Sequence, residues 1–90
     1  MINTNEVLKK YDLRLTKSLG QNFLTDINII KKIVETGEVT GSDLVVEIGP
    51  GIGSMTVEIA KNAGRIIAIE IDRHLIPALH ENLSGFPNVI

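Results

Sequence analysis

The chain has 90 residues, with nine Lys and Arg against eleven Asp and Glu, a formal net charge of −2, and no cysteine. This length bounds it to one small domain with a modest core, the 43% apolar fraction excludes a disordered polar chain, and the missing cysteines exclude a disulfide framework or a thiolate metal site. The slightly acidic balance does not advertise nucleic-acid binding. No stretch reads as a signal peptide and no apolar run is long enough to cross a bilayer, so a cytoplasmic protein without membrane partners is the default expectation.

Asn3 and Glu6 stand at capping-box spacing, which predicts a short helix capped by Asn3 with Val7, Leu8 and Tyr11 on one side. Lys9, Lys10, Arg14 and Lys17 concentrate positive charge in the first twenty residues. Any nucleic-acid surface would lie there, although four basic residues make a weak patch and charge alone favours a solvated helix face. Leu13 and Leu15 could anchor the next segment, and Lys17 to Gly20 reads as loop. Gln21-Asn22-Phe23-Leu24 places two amides beside two apolar side chains; an amide both donates and accepts, which suits a zwitterionic amino-acid group, whereas Phe23 and Leu24 alone read as core plugs.

Thr25 or Asp26 is expected to cap a second helix whose apolar stripe is Ile27, Ile30, Ile33 and Val34, with Lys31, Lys32 and Glu35 outward and Gly37 as its terminator. Leu44 to Ile48 is a β-branched run broken only by Glu47, as in a strand covered on both faces. It runs into Gly49-Pro50-Gly51-Ile52-Gly53 and then Ser54 to Lys61, a plausible amphipathic helix with Met55, Ile59 and Ile52 inward, ended by Asn62-Ala63-Gly64. Strand, glycine turn and helix open a nucleotide-binding βαβ unit. Glycines there permit positive φ and let a ligand lie on the backbone. Arg65 to Ile69 is the second strand, and Glu70 at its end is placed to accept hydrogen bonds from ribose hydroxyls. The alternatives are a mere tight turn and a solvated strand end.

Asp72 can cap a further helix with Leu75, Ile76, Leu79 and Leu83 inward; Pro77 predicts an irregular start and a regular helix from about that residue. Ser84 to Pro87 is a turn, and Asn88-Val89-Ile90 opens a third strand. His74 and His80 have no second ligand at metal spacing, so surface or helix-cap roles are expected, and no metal site.

The spacing Gly49-x-Gly51-x-Gly53, with Glu47 two residues ahead, resembles the first motif of Rossmann-like methyltransferases that use S-adenosylmethionine. Dinucleotide-dependent oxidoreductases, the alternative enzyme class, favour G-x-G-x-x-G and begin near their first strand. Val46-Glu47-Ile48-Gly49-Pro50-Gly51-Ile52-Gly53-Ser54-Met55-Thr56 specifically resembles the small-subunit rRNA adenine N6-dimethyltransferase family. Leu19-Gly20-Gln21-Asn22-Phe23-Leu24-Thr25-Asp26 is close to that family's leading motif. The sister 23S rRNA dimethyltransferases of macrolide resistance share much of this, while Gly20 and the Pro50-Gly51 pair look more like the small-subunit branch.

The resemblance implies an α/β fold: residues 1–90 as the N-terminal part of a three-layer α/β/α methyltransferase domain, with leading helices followed by β-α-β-α-β. It implies the strand order 3-2-1-4-5-7-6, which leaves strand 1, Leu44 to Ile48, as a raw edge open to self-association when the later strands are absent. It implies S-adenosylmethionine as cofactor, held by Asn22, the backbone of Leu24, Gly49, Gly51 and Glu70, with Glu47 orienting the loop or the amino group through water. It implies small-subunit rRNA in an assembling ribosomal subunit as partner. The Asn-Leu/Ile-Pro-Tyr/Phe motif that holds the target adenine does not occur in the sequence, so no catalytic residue is assigned and the chain alone is expected to be inactive. A non-enzymatic module that binds cofactor weakly or only self-associates is compatible with this reading.

Overall fold

A computed structural model of the chain describes residues 2–11 and 26–90. The expectations for Asp12 to Gly20, for the Gln21-Asn22-Phe23-Leu24 amides and for Thr25 as a cap lie outside the described residues.

The first helix, α1 (Thr4–Lys10), begins where Asn3 accepts the Glu6 amide at 3.1 Å, as the spacing predicts. Asp26 caps α2 (Ile27–Thr36), its carboxylate taking the amides of Asn28 and Ile29 at 2.9 and 3.4 Å. An N-cap oxygen satisfies donors that have no partner inside the helix. The apolar stripe of α2 is narrower than its sequence suggests. Ile30 and Val34, one turn apart, are buried, whereas Ile33 is 45% exposed and Ile29 49% exposed.

α2 ends at Gly37 as expected, but not by a left-handed glycine. Gly37 stays right-handed at φ −71°, and the left-handed position falls one residue later, on Glu38 at φ 52°. The Glu38 amide reaches the Glu35 carbonyl at 3.0 Å while Gly37 bonds Ile33 at 3.1 Å. A side chain in this conformation brings Cβ against the backbone at a cost of about 1–2 kcal/mol. Glu38→Gly is therefore expected to raise stability by about 0.5–1 kcal/mol in urea unfolding, since the added freedom of the unfolded chain offsets part of the relief.

The strands β1 (Leu44–Ile48) and β2 (Arg65–Ile69) pair in parallel, Leu44 opposite Arg65 through Ile48 opposite Ile69. A parallel pair needs a crossover, and α3 (Ser54–Ala60) lies between them in sequence. The last helix is α4 (Ile76–Leu83), with Pro77 in its first turn, where the missing N–H costs nothing. Asp72 starts the irregular approach by accepting the His74 amide at 2.9 Å, and the Leu75 amide bonds the Asp72 carbonyl at 3.1 Å.

The expected third strand appears as a single parallel bridge beside β2, at Val89. The Ile66 amide donates to the Asn88 carbonyl at 3.0 Å, the Ile90 amide to the Ile66 carbonyl at 2.8 Å, and Val89 bridges Ile66 in parallel. The expected order 3-2-1 is formed this far. Asn88 also donates its side-chain amide to the carbonyls of Ala60 and Ala63, tying this segment to the end of α3.

One core cluster joins Val34, Ile59, Ala60, Ala63 and Ile66, with Val45, Met55 and Val89 packed on it; a second joins Ile52, Leu75 and Ala78, with Val7 and Tyr11 against it. The first sits on the face of the sheet that carries Val45 and Ile66. On the other, Leu44 (59%), Val46 (55%), Ile48 (74%) and Ile69 (45%) are exposed. Coverage of strand 1 on both faces, expected from its apolar run, is therefore not found among the described residues. The composition of β1 fits a central strand, but only its Val45 and Glu47 side meets other elements.

Candidate functional site

The glycine loop leaves β1 with all three glycines at positive φ: Gly49 at 71°, Gly51 at 63° and Gly53 at 96°. Such values are strained for any residue with a Cβ, so the alternate spacing of glycines follows from the path of the backbone. The Gly49 amide still reaches β2, bonding the Ile69 carbonyl at 2.9 Å, and the Gly53 amide bonds Pro50 at 3.0 Å. Among the described residues, nothing lies within 4 Å of where a Gly49 side chain would project, which leaves open space at the mouth of the loop. At Gly53 the same position is filled: a Cβ would stand 3.1 Å from Leu79 and 3.3 Å from Leu83 on α4.

Glu70 meets this loop directly. One carboxylate oxygen accepts the Gly51 amide at 2.9 Å and the other accepts the Asp72 amide at 3.0 Å. The acid at the end of the second strand and the middle glycine, separated by 19 residues in sequence, are thus one hydrogen-bonded unit. A carboxylate accepts at both oxygens and has lone pairs left for a ligand's hydroxyls. Behind it opens a groove of about 450 Å³ lined by Ile69, Ile76, Leu79 and Ile90, so Glu70 stands on the border between a polar loop and apolar wall.

Two further residues support the loop: Asn82, which no motif marks, and Thr56, the last residue of the glycine-loop motif, to which the sequence alone assigns no role. Asn82 on α4 donates to the Ile52 carbonyl at 2.8 Å, and Ile52 itself is buried against Leu75 and Ala78. Thr56 on α3 is fully buried and donates its hydroxyl to the Glu47 carboxylate. Burial pushes the Glu47 carboxyl above its ordinary value, and the Thr56 hydroxyl partly offsets this. The usable signal for Asn82 was a polar amide between the inward Leu79 and Leu83; for Thr56 it was a hydroxyl one turn before the inward Ile59.

Of the expected site residues, Gly49, Gly51 and Glu70 are brought together, and Glu47 lies beneath them. Asn22 and Leu24 lie outside the described residues. Among the basic residues, Lys9 is exposed and Lys10 pairs with Glu81 at 2.6 Å, while Arg14 and Lys17 lie outside the described residues. His74 and His80 are exposed, and no group of His, Cys, Asp and Glu able to hold a metal occurs among the described residues. No described helix is long and apolar enough to cross a membrane.

The open space at Gly49 and the acceptors of Glu70 suit a ligand with a hydroxylated sugar. They suit a pyrophosphate less well, because the Gly51 amide that would meet an anion already holds a carboxylate.

The sequence matches the family model described as ribosomal RNA adenine dimethylase over residues 13–90. It is 55% identical to the ribosomal RNA small subunit methyltransferase A of Shouchella clausii and 54% identical to that of Latilactobacillus sakei, over 86 residues in each case. Each alignment covers 96% of this chain and 29% of the relative. The chain therefore spans less than a third of the length of the curated relatives it matches. Among solved structures, the 23S rRNA methyltransferase ErmE is 44% identical with a TM-score of 0.71, covering 76% of this chain and 28% of that one. A dimethyladenosine transferase from Plasmodium falciparum is 31% identical with a TM-score of 0.69, covering 76% and 26%.

Proposed function

Since this chain belongs to the ribosomal RNA adenine dimethylase family, we propose that it is the cofactor-binding part of an enzyme that dimethylates adenine N6 in small-subunit rRNA, using S-adenosylmethionine. The observation that carries this reading is the Glu70–Gly51 hydrogen bond, which joins the glycine loop to the strand-end acid in one cradle. The curated relatives named above favour the small-subunit branch; the likeness to ErmE keeps the 23S type as the second reading.

When bound, S-adenosylmethionine would supply a methyl group on a sulfonium, open to in-line displacement by an amine. The residues of this chain would hold it. Glu70 would accept from the ribose hydroxyls while keeping Gly51 in place. Gly49 would let the backbone approach the ligand, and Asn22 and the backbone of Leu24 would close over the methionine end. Glu47 and Glu70 give the cradle negative charge that complements a sulfonium. Residues 1–90 would form the N-terminal part of the methyltransferase domain, acting in the cytoplasm on an assembling ribosomal subunit. No residue here is assigned a catalytic role, and the isolated chain is read as inactive towards rRNA. Its open strand β1 is proposed to pair with a second copy.

A calorimetric titration with S-adenosylmethionine, run beside NADH, tests the cofactor reading. Micromolar or tighter binding of the first alone is expected, weakened about 10-fold or more in Glu70→Gln. A glutamine can accept one of the two backbone amides, but it turns its own N–H₂ toward the other. Binding of NADH, or binding indifferent to Glu70→Gln, would overturn the assignment.

A further inference from the structure

The Thr56–Glu47 hydrogen bond is unlike the other contacts of the loop, because it spans the loop without touching it. Glu47 is the penultimate residue of β1 and Thr56 lies in the first turn of α3. Between them run Ile48 to Met55, and with them all three left-handed glycines. The bond therefore fixes the separation of the two elements from which the cradle hangs. A loop of this length with three glycines has much backbone freedom to lose, so its shape depends on how firmly its ends are held.

Both partners sit where the bond is hard to replace. Thr56 has no exposed surface, and Glu47 projects from the covered side of β1, in register with Ala68 of β2. Water has no access to Thr56, and Glu47 is half-buried. If the hydroxyl is removed, the carboxylate loses a charge-assisted bond that solvent does not readily restore. The upward push on the Glu47 carboxyl comes from the same partial burial. A threonine on an inward helix face needs only its methyl group to pack, so its hydroxyl is the part that packing does not explain.

We infer that Thr56 is a positioning residue for the cofactor: acting through Glu47, its hydroxyl sets the conformation of the Gly49–Gly53 backbone on which the ligand lies. This rests on the cofactor reading above, and it reaches a residue that need touch neither cofactor nor substrate. Valine at position 56 would keep the shape and remove the donor. Serine would keep the donor and remove a methyl group.

The test compares the chain with its Thr56→Val and Thr56→Ser variants by two readouts. The first is the amide ¹H–¹⁵N signals of Gly49, Gly51 and Gly53 without ligand, with the Asn28 amide at the α2 cap as an internal control. The second is calorimetric affinity for S-adenosylhomocysteine. Thr56→Val is expected to displace or broaden the Gly51 and Gly53 signals while Asn28 stays in place, and to weaken binding about 10-fold. Thr56→Ser is expected to restore both. Glycine signals unchanged in Thr56→Val would overturn the inference, as would a folded Thr56→Ser whose glycine signals are displaced; the second result stands even if the valine variant fails to fold. Should the parent chain not bind S-adenosylhomocysteine, the cofactor reading fails separately, and the glycine signals still decide whether the hydroxyl sets the loop.

Discussion

Gly64→Ala is expected to destabilise the chain by about 3 kcal/mol or to prevent folding, read as a lowered urea midpoint or a missing transition. The added Cβ would stand 2.3 Å from the Gly41 carbonyl oxygen, 3.2 Å from its carbon and 3.3 Å from the Asp43 carbonyl oxygen. All three atoms are backbone, so no side chain can swing aside. Nor can either segment move freely. The amides of Gly64 and Arg65 both donate to the Asp43 carbonyl, at 3.1 and 3.2 Å, and the next pair, Leu44 and Arg65, opens the β1–β2 ladder. Asp43 is itself fixed, its carboxylate taking the Thr40 amide at 2.7 Å. Relieving the clash means parting the first rung of a sheet with only two full strands. Gly41→Ala is the matched control: among the described residues, nothing lies within 4 Å of the Cβ it would add, and a change within about 0.5 kcal/mol is expected. Equal losses in the two variants, or none in either, would show that the close approach of Gly64 to Gly41 does not constrain the fold.

That contact also marks a limit of what the sequence discloses. Gly64 reads as the end of a helix, and its role depends on a partner 23 residues earlier that no local pattern points to. Local patterns did resolve well where the physics is local. Asn3 caps α1 because its oxygen needs only the amide three residues on. Pro77 sits in the first turn of α4 because a proline is tolerated there and not further in. The glycine loop and Glu70 were readable as a pair because a βαβ unit fixes their separation, and the structure joins them by a hydrogen bond. α2 does end at Gly37, but composition favours glycine for a left-handed residue, and the turn that follows imposes that conformation on Glu38 instead. Ile33 lies outside the buried seam because, among the described elements, α2 packs on the helix α3, and Ile30 and Val34 are the residues it buries. Asn82 hydrogen-bonds Ile52, 30 residues earlier, and a single polar side chain on an inward helix face carries no signature of its target. Thr56 stands inside the glycine-loop motif, but the motif's spacing does not disclose that its hydroxyl bonds Glu47.

The isolated chain is expected to associate as concentration rises, and Val46→Lys is expected to hold it as a monomer. β1 pairs with β2 along one edge, and no other described strand borders it. Its outer face carries Leu44, Val46 and Ile48 at 59, 55 and 74% exposure, continued on β2 by Ile69. Unpaired N–H and C=O groups beside a row of aliphatic side chains form a template for a further strand, and apolar area removed from water contributes about 25 cal/mol per Å². The chain's own charge opposes this weakly: the net −2 is small, and no charged side chain projects from the exposed side of β1. A second copy answers both needs, supplying an identical apolar face and an identical open edge by two-fold symmetry. A lysine at position 46 would have to lose its hydration in the middle of that contact, and lysine on an edge strand is itself a common guard against such pairing. Sizing with light scattering over a hundredfold concentration range provides the measurement. A mass rising towards that of a dimer in the parent chain, and constant in Val46→Lys, is the expected result. A parent chain that stays monodisperse and monomeric at the highest concentration would mean that the exposed face of β1 is tolerated in water and that the edge is closed in some other way.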